Sequence, residues 1–234
     1  MIAAIGGGIE MTYERLGNPN APVVLLIMGL AAQSIHWPDG FCQALVDGGL
    51  QVIRFDNRDS GLSTHLTGAP PPNLPAVRAG DLSSVSYTLS DMAADAVGLM
   101  DVLGLEQAHV VGASMGGAIG QTMAIEHPGR VRSLTSIMST TGSMAVGQAS
   151  PEVLRELFAG PPAVTRDDVI QRMLRAFRLD GSPGYPTDEN EVAAVAGRAT
   201  TARTIRLGWL VRRSRRLPPG IGPNGCDILM FLRS

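Results

Sequence analysis

The sequence predicts an α/β fold in which a mostly parallel sheet is flanked by helices. Segments with strand patterns and segments with helix patterns alternate through residues 1–142, and this alternation is typical of parallel β-α-β units. Some predicted strands are continuous apolar runs, as 23–28 is, and strands covered on both faces have this composition. With 234 residues, 44% of them hydrophobic, the chain can bury a substantial core.

Each element of the first half follows from a local signal. Alternating polarity over 9–15 predicts a strand, and the Gly-Asn-Pro-Asn segment at 17–20 predicts a turn after it. Pro22 introduces the apolar strand 23–28. A helix is expected over 38–47, and Gly48 and Gly49 mark its end. Residues 51–55 are predicted to form the next buried strand. Residues 66–86 are rich in Gly, Pro and Ser and predict a long loop.

The second half continues with helices and strands of similar length. Ser90 is the expected N-cap of an amphipathic helix that Gly104 ends. A short strand at 108–112 precedes a helix over 115–126, which Pro128 terminates, and 131–138 is another strand. From Pro151 onward only helices are predicted, at about 151–159, 166–178 and 188–199.

Composition and charge exclude several classes of function. The formal net charge of −2 gives no reason to expect nucleic acid as a partner. The longest apolar run, 23–32, is far shorter than a membrane span of about 20 residues, and no secretory leader is apparent. Cys42 and Cys226 lie far apart and are expected to be free thiols in a reducing compartment. We therefore expect a cytoplasmic protein without a membrane span, and neither a cofactor nor a metal.

Residues 112–117 (Gly-Ala-Ser-Met-Gly-Gly) carry the main chemical signal of the sequence. They lie between a predicted strand and a predicted helix, the context in which Gly-x-Ser-x-Gly forms a nucleophile elbow. Glycines permit the sharp turn there, and Ser114 is the candidate catalytic nucleophile. The amides of Met115 and of Leu30, after the 23–28 strand, are the candidate oxyanion donors. The alternatives are that Ser114 is an ordinary turn serine and that Gly29 only ends its strand.

Three stretches together resemble the α/β-hydrolase superfamily. They are Asp56-x-Arg58-Asp59-x-Gly61-x-Ser63, Tyr87-Thr88-Leu89-x-Asp91-Met92-Ala93-x-Asp95 and the elbow around Ser114; the segment 137–142 is also similar. The resemblance is closer to the esterase/lipase branch that includes aclacinomycin methylesterase-like enzymes, and it covers about residues 9–199. It implies a carboxylic-ester hydrolase with a small apolar ester as substrate. The implied organisation is a core over 1–142, a helical cap over 143–199 and a tail over 200–234.

The loop after the 51–55 strand is expected to have a structural role, unlike the elbow. Asp56, Arg58 and Gly61 are more consistent with a structural turn than with catalytic groups. We expect Arg58 to pair with Asp56 or Asp59 and to hold the loop.

A histidine base and an acid that orients it are missing from the expected places. In this superfamily the chain order is Ser, then acid, then His. His127 follows Ser114 but ends the nucleophile's own helix, roughly 18–20 Å away. His109 begins the strand before the elbow, at the wrong end of the sheet, and His65 lies in a loop. His36 is a weak candidate for a substitute base, so triad base and acid stay unassigned.

The acids after the elbow have simpler explanations. Asp167, Asp168, Asp180 and Asp188 fit helix starts and loops of the expected cap. Asp227 begins the one strand-like segment of the tail, where a catalytic acid would follow the strand.

The tail changes character near residue 200. Residues 1–199 hold 12 Arg against 20 acidic residues, whereas 200–234 hold 7 Arg and one acid. We expect the sequence after about residue 199 to be missing its family counterpart or to be out of frame, and the tail to be poorly ordered. A genuine basic tail that binds an acidic partner is the alternative. If the triad is incomplete, the chain is a non-catalytic remnant or a small-molecule binding protein instead of an active esterase.

Overall fold

A computed structural model of the chain describes residues 1–69, 73–79, 81–143, 147, 150–157, 159 and 163–201. The expected tail after residue 201 and Cys226 lie outside these residues. The strands are β1 (Ile2–Gly6), β2 (Ile9–Leu16), β3 (Val23–Ile27), β4 (Gln51–Phe55), β5 (Ala108–Ala113) and β6 (Val131–Ile137). The helices are α1 (Asp39–Asp47), α2 (Leu74–Arg78), α3 (Leu89–Val102), α4 (Met115–Glu126), α5 (Pro151–Leu157), α6 (Arg166–Asp180) and α7 (Glu189–Thr201).

The six strands form one sheet in the order β1-β2-β4-β3-β5-β6. Strands β4, β3, β5 and β6 are parallel to one another, and β1 and β2 join as antiparallel neighbours on the β4 side. The prediction of a mostly parallel sheet is therefore confirmed. Since β3 lies between β4 and β5, its five residues are all buried, which explains its continuous apolar sequence.

Helices cover both faces of this sheet, as the sequence predicted. Leu25 and Ile27 of β3 belong to a large apolar cluster that includes residues of α3 and α4. Val24 and Leu26, which point the opposite way because side chains alternate along a strand, pack in a second cluster with Cys42 of α1. Burial on two faces fixes the register of β3, and with it the position of the loop that follows.

Two elements and one helix cap differ from the prediction. Strand β1 was not predicted; it pairs with β2 through a tight turn at Gly7 and Gly8, both with positive φ, and Gly-Gly is a known hairpin signal. The short helix α2 lies in the predicted loop 66–86. The N-cap of α3 is Thr88, not Ser90: Thr88 and Asp91 form a reciprocal capping box.

The described residues divide into two compact units, and the second contains the predicted helices α5 to α7. Helices α6 and α7 pack against each other, and Leu174 of α6 and Ala196 of α7 are buried. Thr165 and Asp168 form a capping box at the start of α6, so Asp168 has the helix-start role that was expected. The boundaries at residues 142 and 199, and the role of this unit as a cap, stay predictions.

Neither a membrane helix nor a metal cluster is found in the described ranges. No helix there is long and apolar enough to cross a membrane. No three histidine, cysteine or acidic side chains among the same residues are arranged to share a metal ion.

Candidate active site

Ser114 lies at the turn between β5 and α4, in a backbone conformation that non-glycine residues rarely adopt. Its φ is 53° and its ψ is −120°, and the residue is exposed. The Ser114 amide donates to the carbonyl of Ile137 at 2.9 Å, which ties the turn to the end of β6. A single residue is thus held in a strained conformation, with its hydroxyl at the carboxyl edge of the sheet.

The glycines around Ser114 are required by close backbone contacts. A Cβ atom at Gly112 would overlap the carbonyl of Gly116, and one at Gly116 would overlap the carbonyl of Ile27 at the end of β3. The first turn of α4 therefore packs directly against two strand ends. This is why the Gly-x-Ser-x-Gly pattern was informative in the sequence.

The loop after β3 brings its backbone next to Ser114. A Cβ placed on Gly29 would lie 3.1 Å from the Ser114 Cβ and 3.6 Å from its Oγ. The next amide, that of Leu30, has no hydrogen-bond partner among the described residues. At the elbow the amides of Gly117 and Ala118 donate to the Ser114 carbonyl. The Met115 amide belongs to the first helical turn, whose donors have no partner inside the helix.

Backbone strain is concentrated at this edge of the sheet. Among the described non-glycine residues, positive φ occurs at four positions, and each follows the carboxyl end of one of the four parallel strands. Such conformations cost about 1–3 kcal/mol and persist where surrounding contacts over-determine them. In open α/β sheets ligands bind outside these carboxyl ends. The four residues are Ala31 after β3, Asp59 after β4, Ser114 after β5 and Met138 after β6.

The loop after β4 is a structural turn, as the sequence suggested. The buried Asp56 carboxylate accepts hydrogen bonds from the amides of Ser34 at 2.7 Å and Leu62 at 3.0 Å. Gly61 has a φ of +53°, and any Cβ there would overlap that carboxylate. Asp56 thus joins the loop after β3 to the loop after β4.

The expected partner of Arg58 was wrong. Its guanidinium makes a bidentate ion pair with Asp95 of α3, at 2.6 and 2.7 Å, instead of pairing with Asp56 or Asp59. It also lies 5.1 Å from the centre of the Tyr87 ring, and burial raises the pKa of the Tyr87 phenol above its ordinary value. Arg58 still holds the loop, but against a helix.

Two further side chains of this loop were missed by sequence reasoning. Asn57 donates from Nδ2 to the carbonyl of Met28 at 2.9 Å, and Ser60 donates from Oγ to the carbonyl of Ala32 at 2.7 Å. Both are buried. Their polarity inside a motif that was read as a turn was the only signal in the sequence.

His36 lies in a short 3-10 turn after β3 and is mostly buried. Its Nδ1 lies 3.0 Å from both the amide nitrogen and the carbonyl oxygen of Gln33. Its Nε2 is buried and has no hydrogen-bond partner within the described ranges. Burial lowers the pKa of His36, although the contact with Gln33 and the charge of Asp56 partly offset this effect. His36 therefore binds a proton more weakly than an exposed histidine does.

The other histidines are engaged elsewhere. His65 Nε2 lies 3.0 Å from the carbonyl oxygen of Gly61, and His109 Nδ1 lies 2.7 Å from the Ser133 hydroxyl. His127 is the C-cap residue of α4. Within the described residues no imidazole is hydrogen bonded to Ser114. Two of the acids that were set aside act locally: Asp168 accepts from the Thr165 amide before α6, and Asp188 accepts from the amides at the start of α7. The triad acid and base stay unassigned.

Known proteins share this arrangement of sequence and fold. Residues 22–206 match the family described as alpha/beta hydrolase fold. Rhodomycin D methylesterase of Streptomyces peucetius is 30% identical over 203 residues, which cover 78% of this chain and 63% of that enzyme. The corresponding enzyme of Streptomyces sp. strain C5 is 29% identical with the same coverage. The chain thus spans less than two thirds of the length of these relatives.

A solved structure gives the same fold. The serine hydrolase from Cycloclasticus zankles matches with a TM-score of 0.63 at 18% identity, over 100% of this chain and 74% of that protein. At this identity the likeness concerns the fold alone.

Proposed function

Because the chain belongs to the alpha/beta hydrolase family, we propose that it carries the acyl-transfer site of a serine carboxylic-ester hydrolase. One observation carries the proposal: the strained elbow residue Ser114 lies directly beside the Gly29 backbone, and the next amide, that of Leu30, has no hydrogen-bond partner in the described part of the chain. A nucleophile and a nearby backbone donor are the two parts that acyl transfer needs first.

In the proposed reaction Ser114 Oγ attacks the ester carbonyl carbon. The carbonyl oxygen becomes an oxyanion and accepts hydrogen bonds from the amides of Leu30 and Met115, assisted by the positive end of α4. Collapse of this intermediate forms the acyl-enzyme and breaks the bond to the alkoxide, which takes a proton from water and leaves as the alcohol, so that hydroxide is regenerated. Water then attacks the acyl carbon, the acid is released and the Ser114 hydroxyl is restored.

The proton of Ser114 needs an acceptor in the first step. None of the four histidines is hydrogen bonded to it within the described part of the chain, so hydroxide takes the proton in this mechanism. A site that keeps its oxyanion donors without the remaining triad retains a rate of roughly 10³–10⁴ over water. The proposed activity is therefore slow and increases with pH.

The substrate is proposed to be a small apolar carboxylic ester. The name rhodomycin D methylesterase describes cleavage of a methyl ester by that relative, and a small alcohol group is consistent with it. A cytoplasmic location is part of the same proposal, supported by the free thiol of the buried Cys42.

The test is hydrolysis of p-nitrophenyl acetate and butyrate by the full chain between pH 5 and 9. We expect a Ser114-dependent rate that rises about tenfold per pH unit, because hydroxide is the base. Ser114→Ala should abolish it. Ser133→Ala, which removes a hydroxyl bonded to His109 instead, is the matched control and should leave it unchanged. A plateau above pH 7 that His36→Gln removes would contradict hydroxide as the base and assign that role to His36.

A second candidate function is binding of a small molecule without turnover. It is favoured by the lack of any base bonded to Ser114 in the described ranges. Equal rates for the wild-type chain and Ser114→Ala at every pH would reject the hydrolase and leave this candidate.

A further inference from the structure

We infer that Asn57 and Ser60 are positioning residues for the oxyanion site, in that they hold the Leu30 amide at Ser114. The inference rests on the proposed function, since it concerns the same donor. It arises from side chains of the loop after β4 that bond to backbone atoms of the loop after β3.

The two side chains hold the segment Gly29-Leu30-Ala31 from both ends. Asn57 donates to the carbonyl of Met28, immediately before this segment, at 2.9 Å. Ser60 donates to the carbonyl of Ala32, immediately after it, at 2.7 Å. The position of the Leu30 amide is therefore fixed between two hydrogen bonds, whose donor side chains are three residues apart in the loop after β4.

The held segment is strained and has little support of its own. Ala31 has a φ of 56°, and the backbone hydrogen bond across the turn, from the Ala32 amide to the Gly29 carbonyl, is long at 3.3 Å. Strain of this kind persists only where surrounding groups over-determine the conformation. The bonds from Asn57 and Ser60 supply that constraint next to Ser114.

Burial makes these hydrogen bonds specific. Asn57 and Ser60 are 4% and 7% exposed. A buried polar side chain that loses its partner is costly, so each side chain holds its carbonyl in one place. Ser63, in the same motif and 3% exposed, provides a contrast. Its hydroxyl donates to the carbonyl of Asp56, which follows β4, and accepts from the amide of Thr12 in β2, so neither of these partners lies in the loop after β3.

The contrast defines the experiment, a comparison of Ser60→Ala, Asn57→Asp and Ser63→Ala in the full chain. Asn57→Asp keeps the shape of the side chain but cannot donate to the Met28 carbonyl. We expect Ser60→Ala and Asn57→Asp to lower kcat for p-nitrophenyl butyrate by about tenfold or more, with KM nearly unchanged. The ceiling is the loss of about 10²–10³ that follows removal of an oxyanion donor. Ser63→Ala should leave kcat unchanged. It should nevertheless lower the unfolding midpoint in urea at least as much as Ser60→Ala and Asn57→Asp do.

A second measurement does not depend on turnover. Hydrogen exchange of the Ala32 amide, whose bond spans the held turn, should be about tenfold faster in Ser60→Ala and Asn57→Asp but not in Ser63→Ala. Unchanged exchange at Ala32 in both variants would overturn the inference. So would an equal loss of kcat in Ser60→Ala and Ser63→Ala. If the wild-type chain shows no Ser114-dependent hydrolysis but the exchange pattern is as expected, the hydrolase proposal fails. The inference that Asn57 and Ser60 position the Leu30 amide then still stands.

Discussion

Replacing Ser114 by glycine should stabilise the protein while it removes the proposed nucleophile. The backbone at Ser114 has a φ of 53° and a ψ of −120°, a conformation that costs a residue with a Cβ about 1–3 kcal/mol. Glycine adopts it without steric cost but loses about 0.5–1 kcal/mol through the greater freedom of the unfolded chain. The difference is a net gain of about 0–2.5 kcal/mol in the free energy of unfolding, with a mid-range value of about 1 kcal/mol.

Ser114→Ala separates this effect from loss of the hydroxyl. Alanine keeps the Cβ and therefore the strain, so its stability should stay close to that of the wild-type chain. The Ser114 hydroxyl has no hydrogen-bond partner among the described residues, so its removal should cost little. If Ser114 is the nucleophile, as proposed, a substitution that releases the strain of this turn should also abolish hydrolysis.

The assay is urea unfolding of the three proteins, followed by far-UV circular dichroism at fixed pH. The expected order of unfolding midpoints is Ser114→Gly above both wild type and Ser114→Ala. In a thermal melt a gain of 1 kcal/mol corresponds to about 2–4 °C for a chain of this size. If Ser114→Gly is no more stable than Ser114→Ala, the elbow is not strained and the reasoning is refuted.

Two further predictions concern buried charges. Arg58→Met should lower the free energy of unfolding by about 3–5 kcal/mol, because it leaves the Asp95 carboxylate, 7% exposed, without its bidentate partner. Adding Asp95→Leu to that variant should recover much of the loss, and strictly additive effects in the double-mutant cycle of urea unfolding would contradict a direct pair. His36, whose pKa burial lowers, binds a proton more weakly in the folded than in the unfolded state. Its contribution to stability is complete above the ordinary value of 6.5 and is lost as the pH falls below it toward the lowered folded value. His36→Gln should flatten the decline of unfolding free energy between pH 7 and 5, and an unchanged pH dependence would exclude His36 as its source.

Local patterns predicted most of the fold correctly. Strand β4 and helix α4 have the predicted bounds, and β3 differs at one end only. Such elements are predictable because apolar periodicity and terminating glycines act within a few residues along the chain. Strand β1 was missed because five residues before a glycine turn are too short for a clear pattern, and its stability comes from pairing with β2.

The hydrogen bonds around the candidate site show where sequence reasoning stops. Asp56 and Gly61 were correctly interpreted as parts of a turn, because the close contact between the Asp56 carboxylate and Gly61 lies within that loop. The predicted partner of Arg58 was wrong because the ion pair joins residues 37 positions apart, whereas the prediction considered only acids one and two residues away.

The sequence by itself determined the alternation of strands and helices, and the position of Ser114 between β5 and α4. Both depend on residues that are neighbours in the chain, where periodicity and the space available around glycine act directly. Only the tertiary structure decided that Asn57 and Ser60 hold the loop beside Ser114, and that no described imidazole is bonded to the hydroxyl. These relations depend on which strand ends lie side by side in the sheet, and the order β4-β3-β5 follows from packing across the whole core.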